Sequence, residues 1–307
     1  MHPGLTRREA LVAGVGSIVT AAVGGAQTGG ASALQRAVIP SSKTSVARVG
    51  LGTWQTFDVG RDTAKRAQLS EVLSVFTDAG ASVVDTSPMY GTSEEVLGDL
   101  VRDTGLRAKL FLATKVWTQG ERAGIDQMNE SFRLLRTDRV ELMQIHNLLD
   151  RRVHIRHLRK LKEQGKAAHI GVTHYTQAAA NELAKIIREE SVDFVQFALS
   201  LDEPEATTQL LAACWERGVA FLANRPFGGG GSFAKTRGKA LPPWAKDLGI
   251  ESWAQFLLKW VLSHPEVTCA IPGTGKPEHM RDNLAAARGP LPDAAARARM
   301  RAAWAAL

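Results

Sequence analysis

Cysteine and tyrosine are scarce in this chain, and the motifs that announce several common enzyme classes are missing. Only two cysteines, Cys214 and Cys269, occur in 307 residues. No CxxC redox pair and no zinc-type spacing can be built from them. They fall in different elements and read as separate buried thiols, with one disulfide as the alternative if the protein is exported. The two tyrosines, Tyr90 and Tyr175, have no lysine four residues on, which excludes the short-chain dehydrogenase pair. There is no G-x-S-x-G nucleophile elbow and no H-E-x-x-H zinc helix. The stretch GGGGSFAKT (228–236) has Ala234 where a phosphate loop needs its second glycine. GLGTW lacks the third glycine and the following helix of a dinucleotide fingerprint. No apolar run is long enough to span a bilayer stably, since residues 10–23 are short and glycine-rich.

What is present is an ordinary globular composition, 44% hydrophobic, with a formal net charge of +7. That balance suits an anionic ligand without singling out nucleic acid. The basic run RRVHIRHLRKLK (151–162) carries Val153, Ile155, Leu158 and Leu161 at helical spacing, so it reads as an amphipathic helix with a solvated face. It has no aromatic stacking platform, and nucleic acid is not expected as a partner. His154 and His157 have no third ligand nearby, so no metal is expected.

The N-terminus has the parts of a targeting segment. Arg7 and Arg8 precede a mildly apolar stretch, and Ala31-Ser32-Ala33 offers small residues for cleavage. Residues 1–33 resemble a twin-arginine export signal, which implies a periplasmic protein. A disordered Gly/Ala-rich tail on a cytoplasmic enzyme is the other reading. Residues 34–307 are expected to form one catalytic domain.

From residue 46 onward, short apolar runs alternate with helical patterns. Eight such runs occur: 46–54, 81–87, 110–117, 140–147, 169–176, 194–200, 219–227 and 268–274. Helical stretches lie between them, among them 64–80, 177–190 and 251–265. This alternation predicts a parallel (β/α)8 TIM barrel, an α/β fold, with a doubly wound sheet as runner-up. In a barrel, chemistry gathers at the C-terminal ends of strands. The polar residues there are Asp85, Lys115, His146, Thr173, His174, Gln196, Asn224, Arg225 and Thr274.

VVDTSPMYGTSEE (83–95) concentrates the question. Its strand ends in Asp85, Tyr90 follows five residues later, and Ser93 is placed to cap a helix that begins with Glu94 and Glu95. A phenol titrates near pH 10 and is a weak acid–base catalyst by itself. A nearby ammonium, Lys115, is expected to lower that value, and Asp85 to hold the lysine charged. His146 beside the phenol can position a carbonyl. The four make a proton-donating device suited to C=O reduction.

The stretches GLGTW, VVDTSPMYGTSE, ATKVW, QIHN, HIGVTHY, VQF and IPGTGKPEHMRDNL together resemble the aldo-keto reductase superfamily over residues 46–287. The resemblance implies a monomeric NADP(H)-dependent reductase of small carbonyl substrates, with NAD(H) as the alternative cofactor. It makes Tyr90 the general acid, with Lys115 and Asp85 tuning it and His146 orienting the carbonyl beside Asn147. It places Gly52, Thr53 and Trp54 near the cofactor, with Trp54 and Trp117 lining the substrate pocket. It assigns the nicotinamide amide to Gln196 and to Thr173-His174, where Ser-Asn is frequent. It gives Thr274, Asp282 and Asn283 the adenosine end, with the N-terminus of the helix near Pro277.

This chain also departs from the family pattern. Asn224 stands where a tyrosine often stacks on the nicotinamide, leaving Arg225, Phe227 or the glycine-rich loop to compensate. Gly273 and His279 stand where a lysine and an arginine often hold the 2′-phosphate, leaving Lys276 or Arg281 as substitutes. Glycines 228–231 are expected to form a lid over the cofactor. A non-catalytic nicotinamide-binding regulator on the same barrel is the rival reading. A lyase or epimerase acting on a sugar phosphate is a second rival, without nicotinamide binding.

Overall fold

The computed structural model describes residues 32–307, so residues 1–33, read above as an export signal, fall almost wholly outside the described residues. A short antiparallel hairpin comes first, β1 (Arg36–Val38) with β2 (Ser45–Ala47). The barrel strands follow: β3 (Leu51–Gly52), β4 (Val83–Asp85), β5 (Phe111–Val116), β6 (Val140–Ile145), β7 (Ala167–Thr173), β8 (Phe194–Ala198), β9 (Ala220–Asn224) and β10 (Val267–Ala270). They pair in parallel in the order in which they occur along the chain. Parallel bridges from Val49 to Ala270 and from Gly52 to Gly273 join the first strand to the last. The eight-stranded parallel barrel is therefore the observed fold.

The helices are α1 (Thr63–Asp78), α2 (Ser93–Thr104), α3 (Glu121–Leu134), α4 (Arg151–Glu163), α5 (Ala180–Glu189), α6 (Leu210–Arg217), α7 (Ser232–Thr236), α8 (Trp253–Leu262), α9 (Pro277–Ala285) and α10 (Ala294–Ala305). Capping signals set several of their starts. Asp62, Ser252 and Asp293 accept hydrogen bonds from the backbone N–H three residues on, at 3.0, 3.0 and 2.8 Å. Ser93 does not cap α2. Thr92 holds the cap position and spends its hydroxyl on Asp58 at 2.8 Å, while Ser93 is the first helical residue and faces Thr86 at 3.3 Å. In α4 the buried face is His154, Ile155, Leu158 and Leu161, with Val153 only partly covered. His154 Nε2 bonds the Thr118 carbonyl at 2.8 Å, which makes it a tie to the preceding loop. Among the described residues no cluster could hold a metal ion, and no helix is long and apolar enough to cross a membrane. Cys214 and Cys269 are separate buried thiols.

The expected first strand, 46–54, is divided in two. Residues 45–47 belong to the hairpin, and only 51–52 enter the barrel ladder. The hairpin has a packing reason: its Ile39 and Val46 join the apolar cluster inside the barrel and close one end of it.

Strand parity then organises the interior. Val83, Phe111, Ala113, Leu142, Phe194 and Leu222 point inward and fill the barrel with apolar side chains. Alternation along a strand sends every second residue to the same face. Two positions beyond Val83, Ala113, Leu142, Phe194 and Leu222 come Asp85, Lys115, Gln144, Gln196 and Asn224. The upper layer of the barrel is thus polar by register, with Asp85 opposite Ala113 and Lys115 opposite Gln144. The other face of the sheet packs on the helices through residues such as Val84, Leu112, Met143 and Val195.

One helix contact leaves no room for a side chain. Gly98 on α2 lies against the end of α3, and a Cβ there would meet the Leu134 carbonyl and lie 2.8 Å from Leu135 Cα. Because those neighbours are backbone, Gly98→Ala is expected to force the helices apart and cost about 1–3 kcal/mol. Thermal unfolding checks this, and an unchanged melting temperature would show that α2 shifts freely.

Candidate active site

Asp85 and Lys115 form the centre of the polar layer. Lys115 is fully buried, and its Nζ donates to Asp85 Oδ2 and to the Thr86 carbonyl, both at 2.7 Å. Asp85 Oδ1 accepts from Gln196 Nε2 at 2.8 Å and from Gln144 Nε2 at 3.2 Å. A buried carboxylate is tolerable only with partners of this kind. Burial alone pulls the Lys115 ammonium toward neutrality, but Asp85 and Tyr90 outweigh it and hold its pKa above the ordinary lysine value.

Tyr90 lies in the loop after β4, on a turn in which its backbone N–H bonds the Ser87 carbonyl at 3.0 Å. Lys115 Nζ is 5.0 Å from the centre of its ring. The expected lowering of the phenol pKa does not occur. Desolvation raises it, Lys115 lowers it, and the negative charge of Asp85 adds to the rise, so the net shift is upward. Tyr90 is therefore a neutral O–H at physiological pH, which is the form that can give a proton.

His146 meets Tyr90 edge-on, with ring centres 5.8 Å apart and an interplanar angle of 85°. Burial, then the Lys115 charge, then His174 push its pKa down to about 2, so the imidazole is neutral. Its Nδ1 lies 3.0 Å from Ser87 Oγ. Asn147 follows in a left-handed conformation at φ 53°.

These groups open onto a cavity of about 600 Å³ at the C-terminal end of the strands. Asp85, Tyr90, His146 and Asn147 are in its wall, with Lys115 behind them. Gly52, Thr53, Trp54 and Gly273 line one side, Trp117 another, and Thr173, Gln196, Asn224 and Arg225 a third. Gly229, Gly230 and Phe233 bring the glycine-rich loop and α7 to the same space. Ser232 secures that loop by donating to Asp202 at 2.7 Å, and Trp304 of α10 donates to the same carboxylate at 2.8 Å.

The remaining expected cofactor residues lie outside the cavity wall. His174 Nδ1 accepts from the backbone N–H groups of Tyr175 and Thr176 at 3.0 and 3.1 Å, which engages the ring in its own turn. Thr274 is buried, and its hydroxyl accepts the Lys276 N–H at 3.1 Å just before α9. Lys276 and His279 are exposed at the start of α9, and Asn283 is buried farther along it. Asp282 faces α8, where it accepts from Gln255 Nε2 at 2.6 Å and Ser252 Oγ at 2.7 Å. Arg281 is paired with Glu71 on α1 at 3.1 Å.

Several functional residues were not singled out from sequence. Gln144 and Ser87 touch the tetrad directly, and Gln55, Thr56, Met89, Tyr175, Pro226, Phe233 and Ile271 also line the cavity, as does Phe227, named above. The two-residue period marks Gln144, since it stands one inward step beyond Leu142. Ser87 carries no such signal.

The Aldo/keto reductase family model matches residues 48–303, and the chain belongs to that family. Over 259 residues it is 29% identical to the methylglyoxal reductase YeaE of Escherichia coli, covering 82% of this chain and 89% of that protein. It is 25% identical to the aldo-keto reductase str7 of Strobilurus tenacellus over 255 residues, 71% of this chain and 75% of the other. A Klebsiella pneumoniae aldo/keto reductase solved with NADP and acetate superposes with a TM-score of 0.73 at 26% identity, over 88% of this chain and 96% of that one. An aldo-keto reductase from the same organism solved with NADPH gives 0.74 at 26% identity, over 89% and 95%.

The buried pair makes a stability prediction. Asp85→Asn leaves the Lys115 ammonium without its counter-charge and is expected to cost about 3–5 kcal/mol in denaturant unfolding. Replacing both, Asp85→Leu with Lys115→Met, should recover most of that loss. A single variant within 1 kcal/mol of wild type would mean that the pair contributes little.

Proposed function

We propose that this chain reduces aldehydes or ketones to alcohols with NADPH, with Tyr90 as the proton donor. The observation that carries this reading is the wall of the cavity: a neutral phenol backed by a buried ion pair and met by a neutral imidazole. When bound, the nicotinamide cofactor supplies hydride. Tyr90 gives its proton to the carbonyl oxygen as negative charge develops there. Lys115 stabilises the phenolate that remains, and Asp85, held by Gln144 and Gln196, keeps Lys115 charged.

The residues present fit a nicotinamide. Asn224 Oδ1 is buried without a hydrogen-bond partner among the described residues, which leaves an acceptor at the cavity wall for a carboxamide N–H. Thr173 and Gln196 stand beside it, joined at 3.2 Å. Thr274, Lys276, His279 and the first N–H groups of α9 would meet the adenosine phosphates. The exposed apolar groups Trp54, Met89, Trp117, Tyr175 and Phe233 ring the opening and suit a carbonyl compound with an apolar body. All these groups belong to one barrel, so a single chain suffices for the reaction.

Tyr90→Phe keeps the ring and loses only the donor. It should retain cofactor binding and lower kcat by about 10²–10⁴-fold. Wild-type kcat should be flat across neutral pH and fall only above the ordinary phenol value, since the raised pKa keeps the donor protonated below it. A Tyr90→Phe enzyme with more than half the wild-type kcat toward methylglyoxal and a panel of larger aldehydes would end this assignment.

The 2′-phosphate end has no arginine fork at Gly273 or His279. NADPH is therefore expected to be preferred over NADH by a modest, salt-sensitive margin, and His279→Arg should tighten NADPH binding by about tenfold or more. Fluorescence titrations with both nucleotides check this. NADPH affinity unchanged by the substitution would place the phosphate elsewhere.

For residues 1–33 the reading is a twin-arginine-type export signal that leaves a mature periplasmic chain starting at Leu34. Its support is the Arg7-Arg8 pair, the short apolar stretch and the small residues before Leu34. Lysines at positions 7 and 8 should keep the protein in the cytoplasm. Cell fractionation with N-terminal sequencing tests this, and intact Met1 on the cytosolic wild-type protein in its own host would refute it.

A further inference from the structure

Ser87 lies two residues beyond the end of β4 and is completely buried. Its Oγ is 3.0 Å from His146 Nδ1 and 3.4 Å from the Met89 backbone nitrogen. The Met89 N–H can only donate, so the serine oxygen is the acceptor in that contact. Among the described residues the serine hydroxyl proton then has one acceptor within reach, His146 Nδ1. The reverse arrangement, with Nδ1–H donating to Ser87, would strand that proton in a buried site at the cost of a lost hydrogen bond.

The consequence reaches the cavity. A neutral imidazole that accepts at Nδ1 carries its proton on Nε2. His146 borders the cavity, and its Nε2 has no hydrogen-bond partner among the described residues. In the other tautomer Nε2 would present a lone pair, which repels a carbonyl oxygen. With Nε2–H, the imidazole offers a proton at the wall of the cavity that Tyr90 also lines, from a ring that meets the phenol at 85°.

We propose that Ser87 is a positioning residue that fixes His146 in the Nε2–H tautomer, so that the imidazole acts as a hydrogen-bond donor to the substrate carbonyl. The catalytic part of this proposal rests on the carbonyl-reduction reading, while the tautomer itself does not. Ser87 acts through His146 and touches no reacting atom.

The test reads the tautomer directly. Full-length protein labelled with ¹⁵N-histidine gives long-range ¹H–¹⁵N spectra that distinguish the two neutral forms. The His146 signals are those lost in His146→Phe. Wild type should show Nε2–H. Ser87→Ala should show a mixture or the Nδ1–H form, with kcat lowered by about tenfold and NADPH affinity unchanged. Ser87→Thr and Ser87→Cys both keep a donor and should hold Nε2–H, with turnover recovered in whichever packs at wild-type melting temperature. An Nδ1–H wild type, or a Ser87→Ala protein whose melting temperature drops while tautomer and kcat per folded molecule stay put, would overturn the proposal. A wild type in the Nε2–H form that turns over no carbonyl would sink the reductase reading and leave the tautomer assignment standing.

Discussion

Two opposite charges enclosed in a barrel dictate much of what surrounds them. Lys115 and Asp85 have almost no contact with water. Desolvating such a pair costs several kcal/mol per ion, and their attraction offsets it only where the remaining donors and acceptors are satisfied. The surrounding polar layer meets that requirement. The Thr86 carbonyl takes a second lysine proton, and Gln144 and Gln196 share the free carboxylate oxygen. Gln196 in turn receives Thr173 at 3.2 Å and Asn224 at 3.4 Å. Six strands, β4 to β9, contribute to one network, so the charge that serves Tyr90 also fixes the strands' register.

The same burial explains why the phenol behaves differently from the simple expectation. A neighbouring cation favours phenolate, but an enclosed phenol with an aspartate behind the cation loses more by ionising than the lysine returns. For carbonyl reduction that balance is useful, because a donor must hold its proton until the substrate oxygen becomes basic. Backbone strain gathers at the same rim. Asn147, Leu148, Asp150 and Arg225 all have positive φ although none is glycine. Conformations of this sort persist where surrounding structure over-determines them, and functional loops are where they concentrate.

Much of this was legible in the sequence, and the unread parts share physical reasons. Alternating strand and helix patterns with polar strand ends were enough to expect the barrel and to gather Asp85, Tyr90, Lys115 and His146 at one mouth. The β1–β2 hairpin was missed because two three-residue strands carry too little periodicity to register. Ser93 was a sound cap by type, but Thr92 won the position through Asp58, a partner 34 residues away. The direction of the Tyr90 shift depends on desolvation, which no local pattern encodes. Asp282 and His174 have residue types suited to a cofactor, yet their hydrogen bonds go to α8 and to a turn, and only tertiary geometry decides between such partners.

The seam between the first and last barrel strands is the ring's one loose link. Elsewhere neighbouring strands share ladders, but here two isolated bridges do the joining. Bare glycines permit the close approach, since a Cβ on Gly52 would lie 2.8 Å from the Ile271 carbonyl oxygen. Gly52 and Gly273 also border the cavity, beside Trp54. A molecule resting against that wall leans on both sides of the link at once and works as a clasp. Its binding energy then adds to the cohesion of the whole barrel, so filling the site and holding the ring shut become one event.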